Sequence, residues 1–211
     1  HNYSAIKLLL CKFQHFGDND DHKITNLLNV KNVVLFGCLL HNISQPFLWT
    51  NHTQKIVIQR LTVFNTRSKT SAAIILHNAN KSAITQSNFQ DLRSPIIEAI
   101  RIHTFNFENC QIRNFFSNGN GAVVININLQ HIGITILVQN SQFIGCSSGK
   151  SAGVFQIEAM YLQTPTKIIH SYFKFIVKDS IFQRCHSQSL GGAVTIDLSR
   201  THEYKFVNNQ N

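Results

Sequence analysis

Five residues recur at one spacing along this chain. His77, His103, Asn126, Glu158 and Asp197 each lie four positions beyond a small or apolar residue (Ala73, Ala99, Ala122, Val154 and Ala193) that opens an alternating apolar run. Alternation of period two turns them away from the apolar side chains of the same run. If the runs stack, imidazoles, an amide and carboxylates form a column on an outward face. That combination can bind a cation or the hydroxyls of a sugar. The solvated side of an ordinary sheet carries the same residue types, so the column is either a ligand-facing strip or a plain wet surface.

The other chemistry-bearing residues form no reaction centre. GDNDDHK at 17–23 gathers Asp18, Asp20 and Asp21, but it lacks the alternating spacing and distal Glu of a calcium loop and reads as a turn. Asp91, Glu98, Asp179 and Asp197 do not pair in sequence as the two carboxylates of a glycan-cleaving enzyme would. Nucleophile-elbow, zinc-protease, phosphate-loop and dinucleotide patterns do not occur. The expectation is a protein without catalytic residues, cofactor or metal. Five cysteines make no C-x-x-C pair, which leaves a zinc site unsupported. Cys38, Cys146 and Cys185 read as small buried residues of one column, with a Cys146–Cys185 disulfide as a geometric option. N-glycosylation sequons begin at Asn2, Asn42, Asn51 and Asn80, and Asn51 and Asn80 fall in polar stretches that suit loops.

The last quarter of the chain shows which element must hold these residues. NSQFIGCSSGKSAGVFQI at 140–157 and DSIFQRCHSQSLGGAVTI at 179–196 share a short polar pair, Phe, two residues, Cys, a small-residue loop and an alternating strand. Repetition of a strand–turn–strand unit marks a solenoid, in which each unit buries its apolar side against its neighbours. Followed toward the N-terminus, the first anchor falls at Phe13, Leu35, Val63, Phe89, Ile112, Phe143 and Phe182, with Phe206 opening another unit. The corner residue three positions on is Phe16, Cys38, Thr66, Leu92, Phe115, Cys146, Cys185 and Asn209. Strands are expected before the anchor at 56–58, 105–107, 134–138 and 173–177. Others should follow the small residue at 73–76, 99–102, 122–127, 154–157 and 193–198. A loop insertion is expected near 159–172, and a short helix over 4–11 is the one competing element. Gly and Asn are expected to supply the left-handed backbone at the bends, as at Gly119–Gly121, Gly149 and Gly191–Gly192. Sixteen Phe against four Tyr and one Trp suit internal stacking, since Phe brings no polar atom that needs a partner.

The 211 residues can bury one core, no linker divides them, and 1–211 reads as a single solenoid segment. No capping helix is visible at either end, so the segment reads as part of a longer protein. The longest apolar run, 33–40, is broken by Gly37 and is too short to enter a membrane. Net charge is +9, yet the 19 Lys and Arg are scattered singly, which argues against nucleic acid and leaves attraction to acidic glycans open.

GGAV at 191–194, together with F-x-x-C at 143–146 and 182–185 and F-x-x-N at 206–209, resembles the repeats of the chlamydial polymorphic outer-membrane proteins and of related large protist surface proteins. The close match covers about residues 140–209; earlier units keep the spacing but read SAA at 71–73 and EAI at 98–100. The resemblance implies an all-β fold, the right-handed parallel β-helix shared with pectate-lyase-like proteins, here of about seven coils. It implies an extracellular or cell-surface scaffold or adhesin whose partners are other chains or further coils of the same protein. A polysaccharide-binding or polysaccharide-cleaving β-helix and the ectodomain of a membrane protein stand as alternatives.

Overall fold

Alternating Ile, Val, Leu and Phe with few helix formers leave the strand as the element this chain can build. The computed structural model describes residues 5–16, 24–67, 72–128, 133–159, 172–189 and 191–198. Among them there is no helix, and residues 4–11, a candidate helix by sequence, contain the strand Ala5–Leu9 instead. Its exposure alternates along the strand, the mark of a two-sided sheet element.

Every strand pairing is parallel, and the strands stack in three ladders. The first runs through Thr25–Leu28, Ile97–Ile100, Val123–Ile127, Phe155–Ala159 and Val194–Asp197. The second runs through Ala5–Leu9, Asn32–Phe36, Thr104–Glu108, Ile134–Gln139 and Phe173–Lys178. Two long strands, Leu48–Gln59 and Ile74–Thr85, belong to both. The third ladder forms a separate sheet from Lys12–Phe16 through Leu39–Ile43, Thr62–Phe64, Asn88–Leu92, Gln111–Ser117 and Gln142–Ser148 to Ile181–Gln183 and His186–Ser187. All-β architecture with long parallel sheets is consistent with a β-solenoid.

Side chains at equal register pile into columns about 4.8 Å apart. The third ladder's inward column is Phe13, Leu40, Val63, Phe89, Ile112, Phe143 and Phe182. Leu40, and not Leu35, therefore fills the second place. Leu35 sits inward on the second ladder between Leu8 and Ile58. Cys38 is displaced with it. The column three residues beyond the anchor holds Leu92, Phe115 and Cys146, whereas Cys38 lies just before its strand. Phe143 and Phe182 stack with centroids 4.6 Å apart, and Phe155 meets Phe143 edge-on at 5.2 Å.

The corners follow the asparagine part of the expectation and depart from it at the named glycines. Among the described residues, the fifteen non-glycine positions with positive φ fall into three columns. Asn29, His52, Asn78 and Arg101 turn the chain from the first ladder to the second. Leu10, Arg60, Gln86, Asn109, Asn140 and Asp179, with Gly37, turn it from the second to the third. Asn42, Asn65, Asp91, Asn114 and Arg184, with Gly145, bend the third ladder. Each corner is a single left-handed residue, and nine of the fifteen are Asn or Asp, which tolerate that conformation best after glycine. Of the glycines expected at bends, only Gly191 has positive φ. Gly121, Gly149 and Gly153 instead sit where an added Cβ would strike the backbone of a neighbouring level at 2.4–2.8 Å.

One residue past the second corner, Cys11, Cys38, Ser87, Cys110, Ser141 and Ser180 form another column, interrupted by Leu61 between Cys38 and Ser87. Each donates from Sγ or Oγ to the carbonyl two residues earlier, at 2.8 Å for Ser141 and 3.2 Å for Cys110. The Ser141 hydroxyl also accepts from the Cys110 N–H of the level beside it, at 3.1 Å. Small hydroxyls and thiols thus satisfy backbone groups that a one-residue corner leaves unpaired.

Candidate functional site

Four of the five residues of the expected polar column share one register position. It runs His77, Ile100, Asn126, Glu158 and Asp197. Ile100 stands where His103 was expected. The Ala122 carbonyl accepts the N–H of both Ile96 and Ile97, so Ile96 is the residue level with Ala122 and the frame begins three residues before Ala99. His103 enters the second ladder, where its N–H donates to the Ala79 carbonyl at 3.3 Å and its own carbonyl accepts from Thr135 at 2.9 Å. The polar strip is thereby cut by an isoleucine. Glu158 is engaged locally, accepting from Gln156 Nε2 at 2.5 Å, while Gln156 Oε1 accepts from the Gly121 N–H and from the Ser151 hydroxyl.

Beside this strip, Glu98 stands on the outward face between Ile75 and Val124 of the adjacent levels. Both neighbours are buried, and the same shelter pushes the Glu98 carboxyl above its ordinary range. No group of three His, Cys, Asp or Glu among the described residues is placed to hold a metal ion.

No two of the five cysteines are joined in the structure. Cys146 and Cys185 occupy adjacent levels, as their neighbours Ser147 and His186 show. The two thiols interact. A hydrogen bond from Cys146 pulls Cys185 down to about 7, and the same bond together with burial pushes Cys146 up. Burial pushes Cys110 up to about 12 and raises Cys38. Of the sequons, Asn80 is exposed. Asn51 is half-buried and accepts from Asn78 Nδ2 at 2.7 Å, with its sequon partner Thr53 buried. Asn42 is itself a corner residue with φ of 53°. Asn2, residues 17–23, most of the 159–172 insertion, Phe206 and Asn209 lie outside the described residues.

A different face holds a cavity. Beyond the bend of the third ladder, the corner column Asn65, Asp91, Asn114 and Gly145 runs beside a second outward column two residues on: Arg67, Arg93, Phe116 and Ser147. Between them lies a groove of about 500 Å³. Gly145 lacks a side chain where the three preceding levels of the groove carry amides or a carboxylate, which opens the groove at that level. Asp91 is fixed from both sides, by Asn114 Nδ2 at 2.9 Å and Gln90 Nε2 at 3.0 Å. Arg93 lies over the Phe116 ring, 5.9 Å from its centroid, and that ring is 43 % exposed. Sequence reasoning did not single out this set. Its one linear trace is a residue two places after each anchor that reads Asn, Asp, Asn and Gly at 65, 91, 114 and 145.

Compared with protein-family models, with curated proteins and with solved structures, the chain finds no match.

Proposed function

We propose that this chain is a stretch of a right-handed parallel β-helix of about seven coils that serves as a scaffold or adhesin outside the cell or at its surface, and not as an enzyme. The reading is supported by three parallel ladders held in register by single-residue corners, an arrangement that makes a stiff body and turns every corner side chain outward. Its partners are other protein chains or further coils of the same protein. The exposed sequon at Asn80 is compatible with the secretory route this requires.

Antibodies raised against the described residues test the reading on intact source cells. Surface labelling without permeabilisation, with weakened attachment or surface assembly when the segment is deleted, is the expected result. Labelling that appears only after permeabilisation overturns it.

A further inference from the structure

The groove on the third ladder has a composition that a plain scaffold surface does not require. Arg67 and Arg93 occupy adjacent levels of one outward column, so two exposed arginines rise from backbone positions about 4.8 Å apart along the stacking direction. Like charges at that spacing repel, and each fork offers paired donors that match a carboxylate or a sulfate. Asp91, in the adjoining corner column two residues before Arg93, accepts two amide hydrogen bonds, yet a carboxylate retains further lone pairs for donors.

These features discriminate among anions. A bare polyanion would meet the Asp91 carboxylate with nothing to donate to it. An acidic saccharide supplies the anionic group for the arginines, hydroxyl donors for Asp91, hydroxyls for the Asn65, Asn114 and Ser147 side chains, and a flat carbon face for Phe116. We propose that the groove binds a saccharide bearing carboxylate or sulfate groups. The chain of sugars lies along the stack, with its anionic group held by Arg67 and Arg93 and one ring packed on Phe116. The site does not depend on the scaffold reading, because binding is measured on the isolated protein and surface location on cells.

Isothermal titration of the full chain with a sulfated glycosaminoglycan oligosaccharide, an oligogalacturonate, a neutral oligosaccharide of equal length and oligoglutamate tests this. Saturable binding of either acidic saccharide, at least tenfold tighter than the neutral sugar or oligoglutamate, is expected; the first two arms tell sulfate from carboxylate. The double variant R67Q/R93Q should weaken binding tenfold or more. The control K55Q/K81Q removes the same charge from exposed, equally spaced positions on the second ladder and should change affinity less than twofold. F116A should weaken saccharide binding while leaving that of inorganic sulfate unchanged, which separates ring packing from charge. Circular dichroism confirms that each variant folds. Absence of saturable binding, equal loss in the lysine control, or preference for oligoglutamate overturns the proposal.

Discussion

Truncating Phe143 to alanine should be the most damaging single change in the third ladder. The side chain is fully buried and meets three rings: Phe182 stacked at 4.6 Å, Phe155 edge-on at 5.2 Å and Phe107 stacked at 5.8 Å. Removal of a buried Phe side chain costs about 3–5 kcal/mol, and each ring pair adds ~0.5–1.5 kcal/mol beyond burial. With three pairs lost, the upper part of that range, about 4–5 kcal/mol, is expected. At ~2–4 °C per kcal/mol for a chain of this size, the melting temperature should fall by roughly 8–20 °C. Phe182→Ala is the internal comparison. Phe182 is only half-buried and stacks on Phe143, so its loss should cost about 1–2 kcal/mol, less than half as much. Stacked repeats need not unfold in one step, so hydrogen exchange should accompany the thermal scan. In the Phe143 variant, protection should collapse first in Gln111–Ser117 and Gln142–Ser148, the strands paired at that level. Equal costs for the two variants, or less than about 1 kcal/mol for Phe143→Ala, would refute the column as the source of cohesion.

Two buried serines should respond with opposite signs. Ser141→Ala leaves the Cys110 N–H without its acceptor and should cost about 1–3 kcal/mol, with Ser141→Cys recovering much of it, as read by urea titration. Ser82 faces the core of the second ladder with no hydrogen-bond partner, so Ser82→Ala should leave stability unchanged or raise it by about 1 kcal/mol. Glu98→Gln should raise the melting temperature at pH 7 but not at pH 4. Burial raises the Glu98 carboxyl, so its ionisation opposes folding as pH climbs from 4.5 through that raised value. Raised thiols act in the same direction. The Cys110 contribution is intact below pH 9.0, where the unfolded thiol is still protonated, and is lost as pH rises from there toward about 12. Peptide mapping after brief iodoacetamide treatment at pH 7.5 should find Cys185 modified well before Cys146 or Cys110; faster labelling of Cys110 would contradict its burial.

The anchor column was legible where a bulky residue stands alone between polar ones, as at Phe89, Ile112, Phe143 and Phe182. It slipped at Leu35 because two alternating strands, Asn32–Phe36 and Leu39–Ile43, are separated there by only Gly37 and Cys38. Apolar pattern alone does not say which strand belongs to which ladder. A second slip, at Ala99, came from taking residue size as the guide. Ile96 fills a place that alanine fills at 73 and 122, and the polar column inherited a three-residue error that put His103 where Ile100 stands. The groove left only that short trace of Asn, Asp, Asn and Gly after the anchors. Its side chains come from four levels between Asn65 and Ser147, and what brings them together is backbone handedness, which Asn hints at but Arg60, Gln86 or Arg184 conceals.

The corners carry a consequence for how such a surface can change over time. Because a corner asks of its residue only that the backbone accept a left-handed turn, the side chain there is released from the packing demands that bind the inward columns. One edge already spells Asn, Asn, Asp, Asn, Gly, Arg at 42, 65, 91, 114, 145 and 184 without a change of backbone path. Such an edge can be rewritten letter by letter, each substitution altering what the surface offers while the text inside stays fixed. Mutational tolerance and recognition then reside on the same line of residues.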